Sequence, residues 1–173
     1  MTRAAANHQK LDRALEEVAA NIGIEQKKAP LKGRDRAVEK INDKYAGRVE
    51  KIADIARGGV SVKTAEEANQ FVQALSERFL VIDEGWSATP VNYFDRKLLV
   101  RFDDGQLGEV QIWPEGMLEA KDRRGHDLYK IIRDPESTPE EVARATEESA
   151  ALYGEVYGRL SDSLKAVIDL NRL

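Results

Sequence analysis

Leu11, Leu15, Val18 and Ile22 recur at steps of three and four residues, with Lys10, Arg13, Glu16 and Glu17 between them. That is the period of a helix burying one stripe, and it predicts a helix over residues 6–22 with Gly23 as its stop. The next stretch, Gln-Lys-Lys-Ala-Pro-Leu-Lys at 26–32, has no such period and reads as a basic loop. Ala37, Val38 and Ile41 mark a second helix over about 33–45, punctuated by Gly47. Ile55–Val62 is short and rich in β-branched and small residues, the pattern of a strand, and Thr64 with Glu67 forms a Thr-x-x-Glu capping box opening a helix over 65–78. Phe79–Ile82, Lys97–Phe102 and Gln106–Trp113 are further apolar runs of strand length, the last two joined by Asp-Asp-Gly, a hairpin signal.

Pro114 ends the last strand, and helical periodicity resumes at 117–121 and continues through Leu128 and Ile132. Thr138-Pro139-Glu140-Glu141 supplies a cap, a first-turn proline and a glutamate at the third position, opening a helix read as continuous over 139–170. These elements predict an α+β fold in a single domain over residues 1–173. A mixed sheet of four to five strands is flanked by helices, with 6–22 and 139–170 to either side of a core at 31–133.

The chain has 173 residues, 42% of them hydrophobic, which suits one core of ordinary size. A net charge of −4 argues against a broad positive coat for duplex nucleic acid, so any nucleotide is met by a local basic cluster. Cysteine is absent, which excludes disulfides, thiolate metal sites and cysteine nucleophiles and agrees with a cytoplasmic setting. The charged N-terminal residues do not read as an export leader, and no segment approaches the roughly 18 apolar residues of a membrane helix. No membrane association is expected.

Candidate chemistry sits on acids near strands and on one basic helix. Asp54 lies at the mouth of the strand over 55–62. Glu109 interrupts the apolar run Gly-Glu-Val-Gln-Ile-Trp, with Gln111 on its face by alternation. Carboxylates so placed suit Mg²⁺ beside a polyphosphate, or simply the solvated face of an edge strand. Lys32, Arg34, Arg36 and Lys40 step along a helix start, either to grip phosphates or as a solvated charged face. Tyr93 precedes a strand, where its ring can stack on a base or plug the core edge, and His126 after Gly125 is a phosphate contact or a helix cap. With His8 as the only other histidine, a histidine-based metal hydrolase is not expected.

The order of these segments resembles the synthetase domain of the RelA/SpoT family. The resemblance runs from Leu31 to about Arg133 through Leu-Lys-Gly-Arg-Asp-Arg-Ala-Val-Glu-Lys (31–40), Asp-Ile-Ala-Arg-Gly-Gly-Val-Ser-Val (54–62), Asn-Tyr-Phe-Asp (92–95), Gly-Glu-Val-Gln-Ile-Trp (108–113) and Met-Leu-Glu-Ala-Lys-Asp-Arg-Arg-Gly-His-Asp-Leu-Tyr-Lys (117–130). It implies a nucleotidyltransferase-like fold and Mg²⁺-dependent transfer of pyrophosphate from ATP to a ribose 3′-hydroxyl. In such domains the acceptor is GDP or GTP, an adenosine nucleotide, or tRNA. By the same resemblance Asp54 and Glu109 hold Mg²⁺ and carry catalysis, and Lys32 and Lys40, with Arg34 and Arg36, bind ATP. Tyr93, Gln111 and His126 meet the acceptor. Two carboxylates drawn together would repel without a cation, so neutralising either is expected to leave the fold intact or more stable.

The chain departs from the family pattern at Pro30, where an adenine-stacking arginine is expected, at Asn92 in place of glycine, at Phe94, and at Trp113 in place of a basic residue; Arg57 and Gly59 exchange a glycine and an arginine. These departures leave a second reading, a fold that has lost catalysis and binds nucleotide or protein. The small, hydrolase-free pattern resembles a stand-alone synthetase, a phage protein or the toxic part of an effector delivered into a target cell. A neutralising protein partner or a second copy would meet the terminal helices.

Overall fold

The computed structural model describes residues 2–48 and 52–172. In order they form α1 (Arg3–Ile22), β1 (Glu25–Lys28), α2 (Arg34–Tyr45), β2 (Ala56–Val62), α3 (Ala65–Ser76), β3 (Leu80–Ala88), β4 (Phe94–Arg101), β5 (Leu107–Pro114), α4 (Met117–Ala120), a π-helical turn (Lys121–Gly125), α5 (His126–Arg133), α6 (Pro139–Gly158) and α7 (Asp162–Leu170). The sheet has five strands in the order β1-β2-β5-β4-β3, so β5 lies at its centre. β4 and β5 pair antiparallel, with Leu99 opposite Glu109 and Lys97 opposite Gln111. The Glu115 amide donates to the Val62 carbonyl at 2.9 Å where both strands end, so β2 and β5 run the same way and the sheet is mixed. The expected α+β architecture of a mixed sheet flanked by helices holds.

The chain packs as two compact units. The first comprises the residues up to Val60, Glu66–Gly85 and Arg96–Ile112. Here α1 buries Leu11, Leu15 and Val18, the stripe its sequence announces, and its Gly23 stop takes φ +82°. Leu15 comes so close to β2 that a Cβ on Gly58 would lie 2.7 Å from its Cδ1. Arg96 on β4 donates to Asn69 of α3 at 2.8 Å, which places α3 over the face of β4 that carries Leu98 and Val100. By register Val110 and Ile112 share that face, while Glu109, Gln111, Lys97 and Leu99 occupy the other.

The second unit comprises Ser61–Ala65, Trp86–Asp95 and the residues from Trp113 onward. Thr138 and Glu141 close the predicted capping box at the start of α6. The continuous helix expected over 139–170 is instead two, because after Gly158 the chain turns through buried Leu160 to Ser161, whose extended backbone and side chain cap α7. The basic loop expected at 26–32 contains a strand, β1. It pairs at the sheet edge although it buries no apolar stripe, and Gln26 donates from its side chain to the backbone and carboxylate oxygens of Asp12 (3.0 and 2.8 Å). β3 extends to Ala88, well past the expected end at Ile82. No helix among the described residues is long and apolar enough to cross a membrane.

Candidate functional site

In the first unit a backbone bond from the Lys32 amide to the Ile55 carbonyl (3.1 Å) holds the segment before α2 against the segment before β2. That brings Lys32, the loop before α2, and Lys40, two helical turns further on, to one carboxylate. Their ammonium groups lie 2.6 and 2.7 Å from the same oxygen, Oδ2 of Asp54. Asp54 is buried, at 7% exposure. Burial alone would push its carboxyl up, but the hydrogen bonds and charge of Lys32 and Lys40 more than offset this and hold it below its ordinary value. Its other oxygen, Oδ1, is buried and accepts no hydrogen bond from the described residues.

A buried, anionic, unpartnered oxygen is a hard donor of the kind Mg²⁺ takes, so Asp54 fits the implied metal. No group of three or more acids or histidines able to hold a metal forms among the described residues. This suits Mg²⁺, which commonly uses one or two carboxylates and leaves its remaining positions to phosphates and water. Glu109 belongs to β5, the strand beside β2, and is half-buried at the centre of the sheet. The edge-strand explanation for Glu109 is thereby excluded, since two strands lie on either side of β5. Gln111 follows on the same face.

Arg34 and Arg36 are exposed on the first turn of α2 and are not drawn to Asp54. A different guanidinium reaches the position of Pro30, where Nε of Arg57 donates to the Pro30 carbonyl at 3.2 Å. In the sequence Arg57 stands out only as a departure. Its signal is an exchange of charge within 54–59, and that signal becomes legible once β2 is known to lie beside the chain at Pro30.

In the second unit Tyr93 stands at the end of a tight turn. The Thr89 amide donates to the Tyr93 carbonyl, the Asn92 amide donates to the Thr89 carbonyl (both 2.9 Å), and Thr89 Oγ1 accepts from the Tyr93 amide (3.0 Å). Asn92 takes φ +64°, the left-handed region in which asparagine is the usual substitute for glycine, so the departure from glycine leaves the turn intact. The Tyr93 hydroxyl accepts from Trp113 Nε1 at 2.7 Å and donates to Asp95 at 3.4 Å, and its ring meets Tyr153 edge-on at 5.4 Å. Burial, with the Asp95 carboxylate beside it, pushes the phenol far above its ordinary value and keeps it neutral. Trp113, where a basic residue is expected, is therefore the donor that orients Tyr93. Asp95 is almost fully buried and accepts from Ser87 at 2.7 Å. Nothing in Phe-Asp-Arg marks it out in advance. His126 is exposed at the first position of α5, beyond a π-helical turn that ends at Gly125.

No family model matches the chain. A curated relative, the (p)ppApp synthetase toxin Tas1 of Pseudomonas aeruginosa (strain UCBPP-PA14), is 30% identical over 147 residues, covering 79% of this chain and 33% of its own length. The chain thus spans about a third of that relative. Among solved structures, the complex of the Type VI effector Tas1 with its immunity protein superposes with a TM-score of 0.68 at 28% identity, over 90% of this chain and 93% of that one. The small alarmone synthetase 1 of Bacillus subtilis bound to its product pppGpp superposes with a TM-score of 0.62 at 17% identity, over 90% and 91%.

Proposed function

Because the chain is similar in sequence to the (p)ppApp synthetase toxin Tas1 and in fold to a small alarmone synthetase, and its motifs resemble those of the RelA/SpoT synthetase domains, we propose that it transfers pyrophosphate from ATP to the 3′-hydroxyl of a nucleotide, with an adenosine nucleotide as the acceptor. The observation that carries this reading is Asp54, gripped by Lys32 and Lys40 through one oxygen and, among the described residues, without a hydrogen-bond donor at the other. A polyphosphate donor brings concentrated negative charge, and two ammonium groups already gathered at one point are placed to exchange part of their carboxylate contact for phosphate oxygens. Mg²⁺, held by Asp54 and Glu109, would neutralise the charge developing on the transferred group. Arg34 and Arg36 extend the positive field outward from α2. Arg57, seated at Pro30, supplies a planar cation for the donor base.

On the acceptor side Tyr93 offers its ring to the base, held in orientation by Trp113 and kept neutral. Glu109 draws the proton from the attacking hydroxyl, and Gln111 and His126 contact the acceptor. No covalent nucleophile is needed, because positioning and charge neutralisation carry the reaction. The preference for adenosine over guanosine rests on the curated relative, a (p)ppApp synthetase. That relative is a toxin solved with an immunity protein, which supports a growth-inhibiting role for this chain and neutralisation by a cognate protein.

The test is incubation with ATP and Mg²⁺ in the presence of AMP, ADP, GDP, GTP or tRNA, following AMP release and the pyrophosphorylated product. Product with adenosine acceptors supports the reading; product with guanosine nucleotides or tRNA alone reassigns the acceptor. No AMP with any acceptor overturns it. Metal-independent nucleotide binding would then favour the non-catalytic alternative.

A further inference from the structure

The turn that presents Tyr93 is gripped by a residue far away in sequence. Arg172 lies just beyond α7, and its Nη2 donates to Oδ1 of Asn92 at 3.2 Å. The same guanidinium sits over the ring of Phe94 (4.8 Å to the centroid) and over that of Tyr157 (4.5 Å). The two rings lie 5.7 Å apart, so a single planar cation serves both. Asn92 and Phe94 are the immediate neighbours of Tyr93. Arg172 thus touches the residue before Tyr93 and the residue after it, while the Tyr93 side chain engages Trp113, Asp95 and Tyr153.

The clamp is itself held. Asp169 accepts from Arg172 Nη1 at 3.2 Å and from the Tyr157 hydroxyl at 2.7 and 2.8 Å, which ties α7 to the end of α6. Phe94 is fully buried, so the guanidinium rests on a fixed surface. Asn92 supplies the remaining piece. Glycine would satisfy its positive φ equally well, but only asparagine there adds an oxygen for Arg172 to hold.

We infer that Arg172 is a positioning residue for acceptor binding, fixing the Asn92–Phe94 turn so that the Tyr93 ring is presented to the acceptor base in one orientation. This rests on the reading that Tyr93 meets the acceptor. Because the turn is the part of the proposed site that Arg172 touches, its loss affects affinity for the acceptor and leaves that for ATP unchanged.

Arg172→Ala is expected to raise the KM for the acceptor about tenfold, with the KM for ATP unchanged to within about twofold. Arg172→Lys recovers part of the loss, since lysine can still donate to Asn92 but lacks the planar face. Asn92→Gly keeps the left-handed turn and cuts only the hydrogen bond, so it covers the case in which Arg172→Ala fails to fold. It should raise the acceptor KM in the same sense and be non-additive with Arg172→Ala. An unchanged acceptor KM, or equal rises for both substrates, overturns the inference. If the wild-type chain transfers nothing to any acceptor, the functional reading fails on its own. Hydrogen exchange at the Asn92 and Tyr93 amides then decides the clamp: faster exchange in Arg172→Ala supports it, and unchanged exchange overturns it.

Discussion

The hydroxyl of Tyr153 fills the space that a side chain on Gly125 would need: a Cβ built there lies 1.9 Å from that oxygen and 2.7 Å from Cζ. The glycine of the Gly-His pair therefore has a packing reason. It lets α6 lay Tyr153 against the π-helical turn and, from there, against Tyr93.

Gly125→Ala is expected to destabilise the fold by about 1–3 kcal/mol through overpacking, read as a drop in the denaturant midpoint. Combining it with Tyr153→Phe removes the closest clashing atom. The double variant should be more stable than the sum of the two single losses indicates.

Asp54→Asn should abolish transfer and also lower stability, by about 1–3 kcal/mol in thermal or chemical unfolding. This corrects the expectation that neutralising this acid relieves repulsion and leaves the fold as stable or more so. Among the described residues the charged groups that touch Asp54 are two lysines, and without the carboxylate their ammonium groups repel each other.

The same triad fixes an acid dependence. The unfolded aspartate takes up its proton near its ordinary value of about 3.9, whereas in the fold Lys32 and Lys40 delay protonation to lower pH. The unfolded state then binds more protons in that interval. The contribution of Asp54 is complete above about pH 4 to 5 and is lost as pH falls through the depressed value. Melting curves of the wild type and Asp54→Asn should therefore converge on acidification below about pH 4.

Glu109→Gln keeps size and shape on the central strand, so its melting temperature should stay close to that of the wild type. Transfer should fall by about 10²–10⁴ in kcat, the range for loss of a positioned proton acceptor. A kcat within a few-fold of the wild type would remove Glu109 from the chemistry.

At alkaline pH the Tyr93 phenol should resist ionisation. Its raised value means that the unfolded chain loses the proton first, so stability is full below about pH 10 and falls as pH rises beyond it. In an absorbance titration, Tyr93→Phe should remove amplitude from the latest, unfolding-linked part of the curve.

Much of the fold was legible because its elements carry their own signals. The Leu11–Ile22 stripe, the Thr138 capping box and the Asp103–Gly105 turn are local in origin and appear where expected. β1 was illegible because Glu-Gln-Lys-Lys contains no apolar residue; its pairing depends on the sheet and on Asp12, which lies in another element. The break at Ser161 was hidden by apolar positions that continue the helical period on either side.

The same division applies to the candidate site. The acids and lysines were visible as residue types in an order, but that Lys32 and Lys40 share one oxygen of Asp54 is a matter of three-dimensional approach. Trp113 looked like a defect, and only the position of the Tyr93 hydroxyl reveals it as a donor.

The order β1-β2-β5-β4-β3 places in the middle of the sheet the strand that is made last. A ribosome delivers Asp54 and both lysines, then the Tyr93 turn, before any residue of β5 exists. Until β5 inserts, β2 has no neighbour on that side and Glu109 is not beside it. Pairings between distant segments of this kind close late and slowly. The chain should therefore stay inert through most of its own synthesis, and a product truncated before Leu107 would carry the Asp54–Lys32–Lys40 cluster without the strand that bears Glu109.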